Sequence, residues 1–308
     1  MISPTRLSAE ALVQGARTLQ APSATVVRLL TLLDQPEADY DEVIAIVARD
    51  VVLSAKLLAV CNSATYGLAR PVASLDHGVL YLGFGEIHRL VMALSFGGSI
   101  GVELPGYDMA AGTLWQHAVV TALLTPRVAA VATSTGADTS IAYTAGLLHD
   151  IGKLVIGQAI SAETRNAIHE RVRSGGLTLI DAEKDAIGCD HAEVGATLLR
   201  KWRLPDIIVE AVAAHHRLPA TGGASLAAVV HVADALAHQS GASPGWESFA
   251  VTHDESAVTT LGLTDAALER LALTALECRD EVARQESASG VRPRATAPLP
   301  AVVSGAAF

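Results

Sequence analysis

The stretch that decides the fold is AGLLHDIGKLVIG, from Ala145 to Gly157. It is apolar along most of its length, yet it places His149 and Asp150 side by side in its middle. Burying two adjacent polar groups is costly unless each of them finds a partner. The stretch therefore predicts a buried segment whose polar pair is satisfied by other residues of the chain or by a bound group.

Helical periodicity dominates the chain around this stretch. The segment from Ser23 to Pro36 places its apolar side chains on one side of a helix. A longer apolar segment, 78–96, is interrupted by Gly83 and Gly85, so we predict two helices there. Pro126 is expected to kink or divide a further helix. No stretch alternates with period two. We predict an all-α fold, a two-lobed helical bundle.

The sequence also predicts where this bundle is divided. GVELPGYDM, residues 101–109, carries two glycines and a proline without helical periodicity, which is typical of a boundary. From residue 287 the chain is rich in Ala and Pro, which favours disorder. We predict an N-terminal helical lobe (1–100), a second helical lobe with a candidate site (107–240), a C-terminal helical extension (241–286) and a disordered tail (287–308).

Composition limits the function classes. Half of the 308 residues are hydrophobic but only 4% are aromatic, which favours helices packed on helices. A formal net charge of -10 argues against binding nucleic acid. The three cysteines form neither a disulfide framework nor a CxxC pair. Neither a signal peptide nor an apolar run of membrane length is evident. We expect a cytoplasmic protein with no nucleic-acid or membrane partner.

Histidines and carboxylates gather in the second half of the chain, each on or at the end of a predicted helix in apolar surroundings. The candidate metal ligands are His117, His149, Asp150, His191, His215, His216 and Asp234. Imidazole and carboxylate together are ligands for Fe, Mn or Zn. An adjacent His-Asp pair can give one ligand to each of two ions about 3.5–4 Å apart, with the carboxylate bridging. We predict a divalent transition metal centre with one or two ions.

Asp150 and Lys153 are the candidate catalytic residues. Lys153 follows Asp150 by about one helical turn and can meet a phosphate oxygen as a point charge. Each residue also has an ordinary explanation, because a helical histidine is commonly a hydrogen-bonded core residue and a lysine commonly a solvated one. His231 and His238 lie one turn on either side of Asp234, and we interpret them as surface or packing residues.

The order of these residues resembles a known signature. The HD superfamily of metal-dependent phosphohydrolases has the pattern that is matched here by His117, His149, Asp150 and Asp234. The run HDIGK and the later histidines resemble the HD-GYP branch, whose members hydrolyse cyclic di-GMP; those histidines are His191, His215 and His216. The resemblance implies a metal-binding helical lobe of the HD type.

The first half of the chain is more similar to a relative of these enzymes, the HDOD (HD-related output) domain. The stretch RDVVLSAKLLAVCNSATYGLARPVASLDHGVLYLGFGEIHRLVMAL carries the motif of that family at Asp50, Asn62-Ser63, Tyr66-Gly67 and Leu82-Gly83. The resemblance covers roughly residues 16–239. HDOD domains are regarded as regulatory modules of bacterial signalling. The resemblance implies other signalling proteins as partners, and a nucleotide or cyclic dinucleotide as a ligand.

Two departures separate the chain from the HD-GYP enzymes. Those enzymes carry a metal-binding Glu one turn before the first histidine, where this chain has Thr113. After His216 the segment 217–224 contains no acidic residue and no Gly-Tyr-Pro loop. We therefore expect metal binding to survive and hydrolysis of cyclic di-GMP to be weak or absent.

Three hypotheses remain at this stage. The first is a regulatory HDOD module whose His/Asp pocket holds a metal or a small phosphorylated ligand, with little or no hydrolysis. The second is a metal-dependent phosphohydrolase acting on nucleotides or cyclic di-GMP. The third is a helical scaffold in which the cluster is a polar relic. The complete set of ligand-type residues favours the first two, and the missing loop favours the first.

Overall fold

A computed structural model gives the structure of the chain. It describes residues 6–16, 24–33, 37–48, 54, 57, 61, 72, 74–100, 103–132, 139–218, 225–242 and 255–289. Within these residues the regular secondary structure is helical, apart from one isolated bridge between Leu104 and Met109. The predicted all-α class is confirmed.

Among the described residues before the predicted boundary, the helices with defined bounds are α1 (Ala9–Gly15), α2 (Ala24–Leu33), α3 (Tyr40–Val47) and α4 (Leu75–Ile100). α2, α3 and α4 pack against one another and form the first lobe. The backbone of α4 leaves helical geometry at Gly83, with φ 72° and ψ 165°. Glycine enters this region of φ without steric penalty, so the predicted break in the segment 78–96 is confirmed.

The second lobe begins with a 3₁₀ turn at Pro105–Tyr107. Its helices are α5 (Thr113–Val131), α6 (Thr139–Leu148), α7 (Ile151–Ala159), α8 (Ala162–Gly175), α9 (Leu179–Ala186), α10 (His191–Lys201), α11 (Asp206–Ala214) and α12 (Leu226–Gln239). α5 packs along α6 and α12, and α7 crosses α10, which also packs on α11. The site described below lies where these helices meet.

Pro126 is expected from the sequence to kink or divide its helix; division is wrong, and the kink stays a prediction. α5 runs from Thr113 to Val131 with Pro126 inside it. A proline in a helix interior costs about 3 kcal/mol. Burial of the flanking side chains, among them Leu124 and Val128, against neighbouring helices offsets that cost.

Two helices complete the described chain, α13 (Glu255–Thr260) and α14 (Asp265–Ser289). α14 packs on α5 and α12, and its Arg279 donates a hydrogen bond to the Ser240 carbonyl at the end of α12. α14 runs past residue 287, where the predicted tail begins, and residues 290–308 lie outside the described part. None of the described helices is both long enough and apolar enough to cross a membrane.

The N-terminal helix α1 packs on the second lobe. It contacts α7 and α10 of the second lobe, and Leu12 and Val13 are buried there. The Leu7 amide also donates to the Ile187 carbonyl at 2.8 Å. The domain boundaries proposed from the sequence stay a prediction, but the first turns of the chain contribute to the packing of the second lobe.

Candidate metal centre

The glycine of the HDIGK run allows two helices to touch. A Cβ atom on Gly152 would lie 1.9 Å from the His191 carbonyl oxygen and 2.7 Å from the Gly195 nitrogen. These are backbone atoms that cannot yield, so only glycine permits α7 to cross α10 this closely. The crossing brings Asp150, the residue before α7, beside His191, the first residue of α10.

Asp150 lies at the centre of the cluster. Its Oδ2 atom is 3.6 Å from His117 Nε2 and 3.4 Å from His149 Nε2. Its Oδ1 atom is 3.3 Å from His191 Nε2 and 4.0 Å from His215 Nε2. All five side chains are buried. Each carboxylate oxygen therefore faces a different pair of histidines, which is the arrangement of a bridging ligand.

The residues on the Oδ2 side, with their neighbours, form what we call the first set: His117, His149, Asp234 and His238. Asp234 Oδ1 lies 3.0 Å from His117 Nε2 and 3.5 Å from His149 Nε2. His238 Nε2 lies 3.3 Å from the same oxygen. The two Nε2 atoms of His117 and His149 are 3.2 Å apart. Two nitrogens bound at about 2.0–2.1 Å to one tetrahedral ion lie roughly 3.3 Å apart.

We call the residues on the Oδ1 side the second set: His191, His215 and His216. His191 Nδ1 donates to Glu183 Oε2 at 2.9 Å, and the His191 main-chain amide donates to the same oxygen at 2.8 Å. Tyr107 Oη donates to the other oxygen of Glu183 at 2.5 Å. His216 Nε2 is 3.1 Å from His191 Nε2. A buried carboxylate thus orients the first histidine of this set.

Main-chain carbonyls orient three of the other histidines. The Nδ1 donors and their acceptors are His117 to Ala242 (2.8 Å), His149 to Gly146 (2.8 Å) and His215 to Val212 (2.7 Å). A carbonyl acceptor requires the proton on Nδ1, so Nε2 carries the lone pair when the ring is neutral. In each case that lone pair faces the cluster.

Three buried atoms of the cluster lack a hydrogen-bond partner within the protein: Asp150 Oδ1, His215 Nε2 and Asp234 Oδ1. An unsatisfied buried polar atom costs about 1–3 kcal/mol. Ligand atoms of three overlapping groups lie within 4.8 Å of one another: Asp150 with His191, His215 and His216; His117 with Asp234 and His238; and His117 with His149 and Asp150. Divalent cations would satisfy the three atoms, so the residues fit a metal centre.

The ionisable groups of the cluster shift one another's pKa values. Burial disfavours ionised Asp150, but His149 and the Lys153 ammonium, whose Nζ is 2.8 Å from Asp150 Oδ2, hold the pKa of this carboxyl well below its usual range. Burial also opposes a charge on His149, but Asp150 outweighs it and raises the pKa of His149 to about 10. In the absence of a cation His149 therefore holds a proton while Asp150 is ionised, and a metal ion must displace that proton.

The pKa values of the imidazoles in the second set shift in opposite directions. Burial opposes a charge on His191, but Glu183 raises its pKa to about 10. Burial and the neighbouring His149 lower the pKa of His215 to about 3. Burial and His215 likewise lower the pKa of His216 well below its usual value. His215 and His216 are therefore neutral near pH 7, as a metal ligand must be.

Comparison with known proteins identifies the family. A sequence model described as the HDOD domain matches residues 19–218, which is more than half of the chain. The chain belongs to the HDOD family. Its fold is that of an HDOD domain protein with unknown function from Geobacter sulfurreducens, at 25% identity and a TM-score of 0.68 over 89% of this chain and 95% of that one.

Two further relatives of the HDOD chain show how far the likeness extends. A provisionally named signal transduction protein from Marinobacter aquaeolei VT8 shares the fold, with a TM-score of 0.70 at 21% identity over 92% of this chain and 62% of that one. An uncharacterized protein of Treponema pallidum (strain Nichols) is 28% identical over 65% of this chain. This HDOD chain spans only 38% of the length of that relative.

All seven ligand-type residues predicted in the HDOD chain converge on one cluster. Lys153, which we weighed as a solvated lysine, is buried and paired with Asp150 at 2.8 Å. Thr113 begins α5, one turn before His117, and offers no carboxylate. That these residues bind metal, and that Asp150 and Lys153 are catalytic, stay predictions.

Some motif residues lie outside the described part of the chain. These are Asp50, Asn62, Ser63, Tyr66, Gly67 and residues 219–224. Leu82 and Gly83 are described, at the break in α4. The matched HDOD segment ends at residue 218, so Asp234 and His238 lie beyond it although both belong to the first set.

Sequence reasoning missed three residues of the site. His238 is interpreted from the sequence as a surface or packing residue; it is not at the surface, since it is buried against Asp234. The signal was present, because residues four apart share one face of a helix. Glu183 and Tyr107 had no such signal. Tyr107 even lies in the segment 101–109 that indicated a boundary, and it reaches a residue 76 positions away.

Proposed function

We propose that this HDOD protein is a regulatory module of bacterial signal transduction whose second lobe holds a divalent transition metal, with little or no hydrolysis. One observation carries the proposal: the ligand-type residues surround Asp150 inside the core. Asp150 and Asp234 are 2% exposed, and His117, His149, His191 and His215 are 0% exposed. His216 alone of the seven is partly exposed. A cation fits such a site, whereas a phosphodiester needs an open face.

The chemistry of the donors supports Fe, Mn or Zn as the metal. Imidazole suits these ions, and a carboxylate between two histidine sets suits a pair of them. Bound there, a divalent cation would supply charge that neutralises Asp150 and Asp234 and fixes the helices that carry them. His117, His149 and Asp234 would hold one ion, and His191, His215 and His216 the other, with Asp150 between them.

A regulatory role is consistent with the family and with the helical surfaces of both lobes. We propose other signalling proteins as partners, recognised through those surfaces. A nucleotide or cyclic dinucleotide is the proposed ligand, and its phosphate would approach from the side of His216, the partly exposed member of the cluster. Metal occupancy would then set how rigidly the second lobe presents its surface.

The second candidate function is a metal-dependent phosphohydrolase. A bridging carboxylate between two ligand sets is the arrangement of two-metal hydrolysis, and it favours this alternative. Asp150 and Lys153 would be its catalytic groups. Positioning of substrate can supply about 7–11 kcal/mol of a barrier. The chain has Thr113 in place of a carboxylate and lacks the Gly-Tyr-Pro loop, so we rank this function second.

Metal content and turnover distinguish the two functions. The protein is purified, its metals are quantified by mass spectrometry, and hydrolysis of cyclic di-GMP is measured with Mn, Fe and Zn, with Asp150→Ala as the control. We expect bound metal and turnover far below about 1 per second. Turnover at or above that rate, abolished by the substitution, would establish the phosphohydrolase. If the protein binds none of these metals, the remaining hypothesis is the helical scaffold in which the cluster is a polar relic.

A further inference from the structure

The first set contains one more donor than the HD signature supplies. His238 follows Asp234 by four residues on α12, so both side chains share one face of that helix. The imidazole rings of His238 and His117 have centroids 4.6 Å apart. His117, Asp234 and His238 are all buried. The cluster therefore includes His238, which contacts both His117 and Asp234.

These three side chains have the composition and spacing of a metal site of their own. Their ligand atoms lie within 4.8 Å of one another. His117 Nδ1 is occupied by the Ala242 carbonyl, so its Nε2 is the free donor, 3.0 Å from Asp234 Oδ1. That oxygen is buried and has no hydrogen-bond partner. Two imidazoles and a carboxylate, completed by water, are a common donor set for Zn or Fe.

The three donors also come from two helices that pack on each other. His117 is on α5, and Asp234 and His238 are on α12, which packs along α5. α7, which begins beside Asp150, contributes nothing to this triad. Its geometry should therefore survive changes at the start of α7.

We propose that His117, Asp234 and His238 form a binding site for a divalent transition metal ion, and that this site does not require Asp150. The proposal rests on the proposed function only in that the centre binds metal. A neutral imidazole has one lone pair, so His117 Nε2 serves one ion at a time. The triad is thus an alternative binding site for the ion of the first set, and Asp150 is dispensable for that ion.

The test counts ions in variants of the full-length protein. Each variant is treated with a chelator, reloaded with Zn or Mn, and analysed by mass spectrometry and by competition with a chromophoric chelator. Asp150→Ala should lose the ion of the second set and keep one ion. Asp150→Ala combined with His238→Ala should bind the remaining ion more than about 10-fold more weakly, since even outer-shell changes at metal sites cost 10–100-fold. His169, which is exposed on α8, supplies the matched control. Asp150→Ala with His169→Ala should behave as Asp150→Ala alone.

The outcomes separate this inference from the proposed function. If the unmodified protein binds metal and Asp150→Ala binds none, the alternative binding site is refuted, while the proposal of a metal centre is supported. Retention of the ion by the variant that lacks both Asp150 and His238 would equally refute it. An unmodified protein without affinity for either metal would overturn both. If Asp150→Ala does not fold, Asp150→Ala with Lys153→Met removes both members of the buried ion pair and is used in its place.

Discussion

The first and second sets use the same donor types but are held in different ways. In the first set the Nδ1 atoms of His117 and His149 donate to main-chain carbonyls, which neither titrate nor move far. In the second set His191 donates to the ionisable Glu183, and the set ends at the partly exposed His216. In the first set, therefore, the histidines are buried and oriented by the backbone. In the second set, their orientation depends on ionisable side chains.

This difference sets what each ion should do. A carboxylate acceptor makes an imidazole a stronger donor to a metal than a carbonyl acceptor does. Partial exposure of His216 gives water and small anions a route to the second set. We expect the ion of the first set to be structural in character and the ion of the second set to exchange and to respond to ligands.

The largest effect is expected from Asp150→Ala, which removes the residue that both sets share. The buried ion pair with Lys153, at 2.8 Å, would be lost, and breaking a buried pair from one side costs about 3–5 kcal/mol. Urea denaturation after chelation should show this loss in the free energy of unfolding. Asp185→Ala, which breaks an exposed pair with Arg171, should cost about 1 kcal/mol or less. Equal losses in the two variants would refute the central role of Asp150.

Gly152→Ala tests whether the crossing of α7 and α10 joins the two sets. The added Cβ would meet backbone atoms at 1.9 Å and 2.7 Å, and such overpacking costs about 3 kcal/mol. The second set should also lose its ion, because His191 moves away from Asp150. Gly85→Ala is the control, since a Cβ there meets no atom within 4 Å. Thermal unfolding and metal content of both variants give the answer.

Glu183→Gln addresses the orientation of His191 alone. The amide keeps the shape of the side chain but loses the charge that raises the pKa of His191. We expect the affinity of the second set to fall by about 10–100-fold, with the first set unchanged. Glu170→Gln, an exposed change on α8, should alter neither affinity. Equal weakening of both sets would mean that they do not differ as described.

The smallest effect concerns pH in the chelated protein. The folded pKa of His191 is raised to about 10, so the stability that it contributes is complete below the unfolded value near 6.5 and is lost as pH rises toward 10. The folded pKa of His215 is lowered to about 3, so stability falls as pH drops from about 6.5 toward 3. The folded pKa of His149 is also raised to about 10, so it adds to the alkaline loss. Stability should peak near pH 6.5 and fall on either side by about 1 kcal/mol per pH unit for each of these groups. Glu183→Gln should remove the share of the alkaline loss that comes from His191, leave the share of His149 and leave the acid side unchanged, which melting curves across this range would reveal.

The sequence was sufficient for features that depend on local pattern. Helical periodicity predicted the all-α class, and a glycine inside an apolar segment predicted the break at Gly83. The order of the histidines and aspartates predicted seven residues that the fold brings together. Each of these signals lies within a few turns of chain or within a recognisable motif.

The sequence was insufficient where tertiary packing decides. Pro126 stays inside α5 because buried neighbours offset its local cost. The contact of Tyr107 with Glu183 spans 76 positions, and no local pattern indicates it. His238 had the right spacing from Asp234, but only burial shows that this face of α12 points at the cluster.

The contact between α14 and the end of α12 limits how far the chain can be shortened without disturbing the metal centre. Arg279 binds the Ser240 carbonyl, and two residues later the Ala242 carbonyl fixes His117. A chain trimmed to the HDOD match would end at residue 218 and lose Asp234. A chain trimmed at residue 242 would keep the donors of both sets. It would lose the contact of Arg279 with the turn whose Ala242 carbonyl orients His117. The smallest physically complete unit is therefore larger than the matched family segment, and it includes the helix that follows.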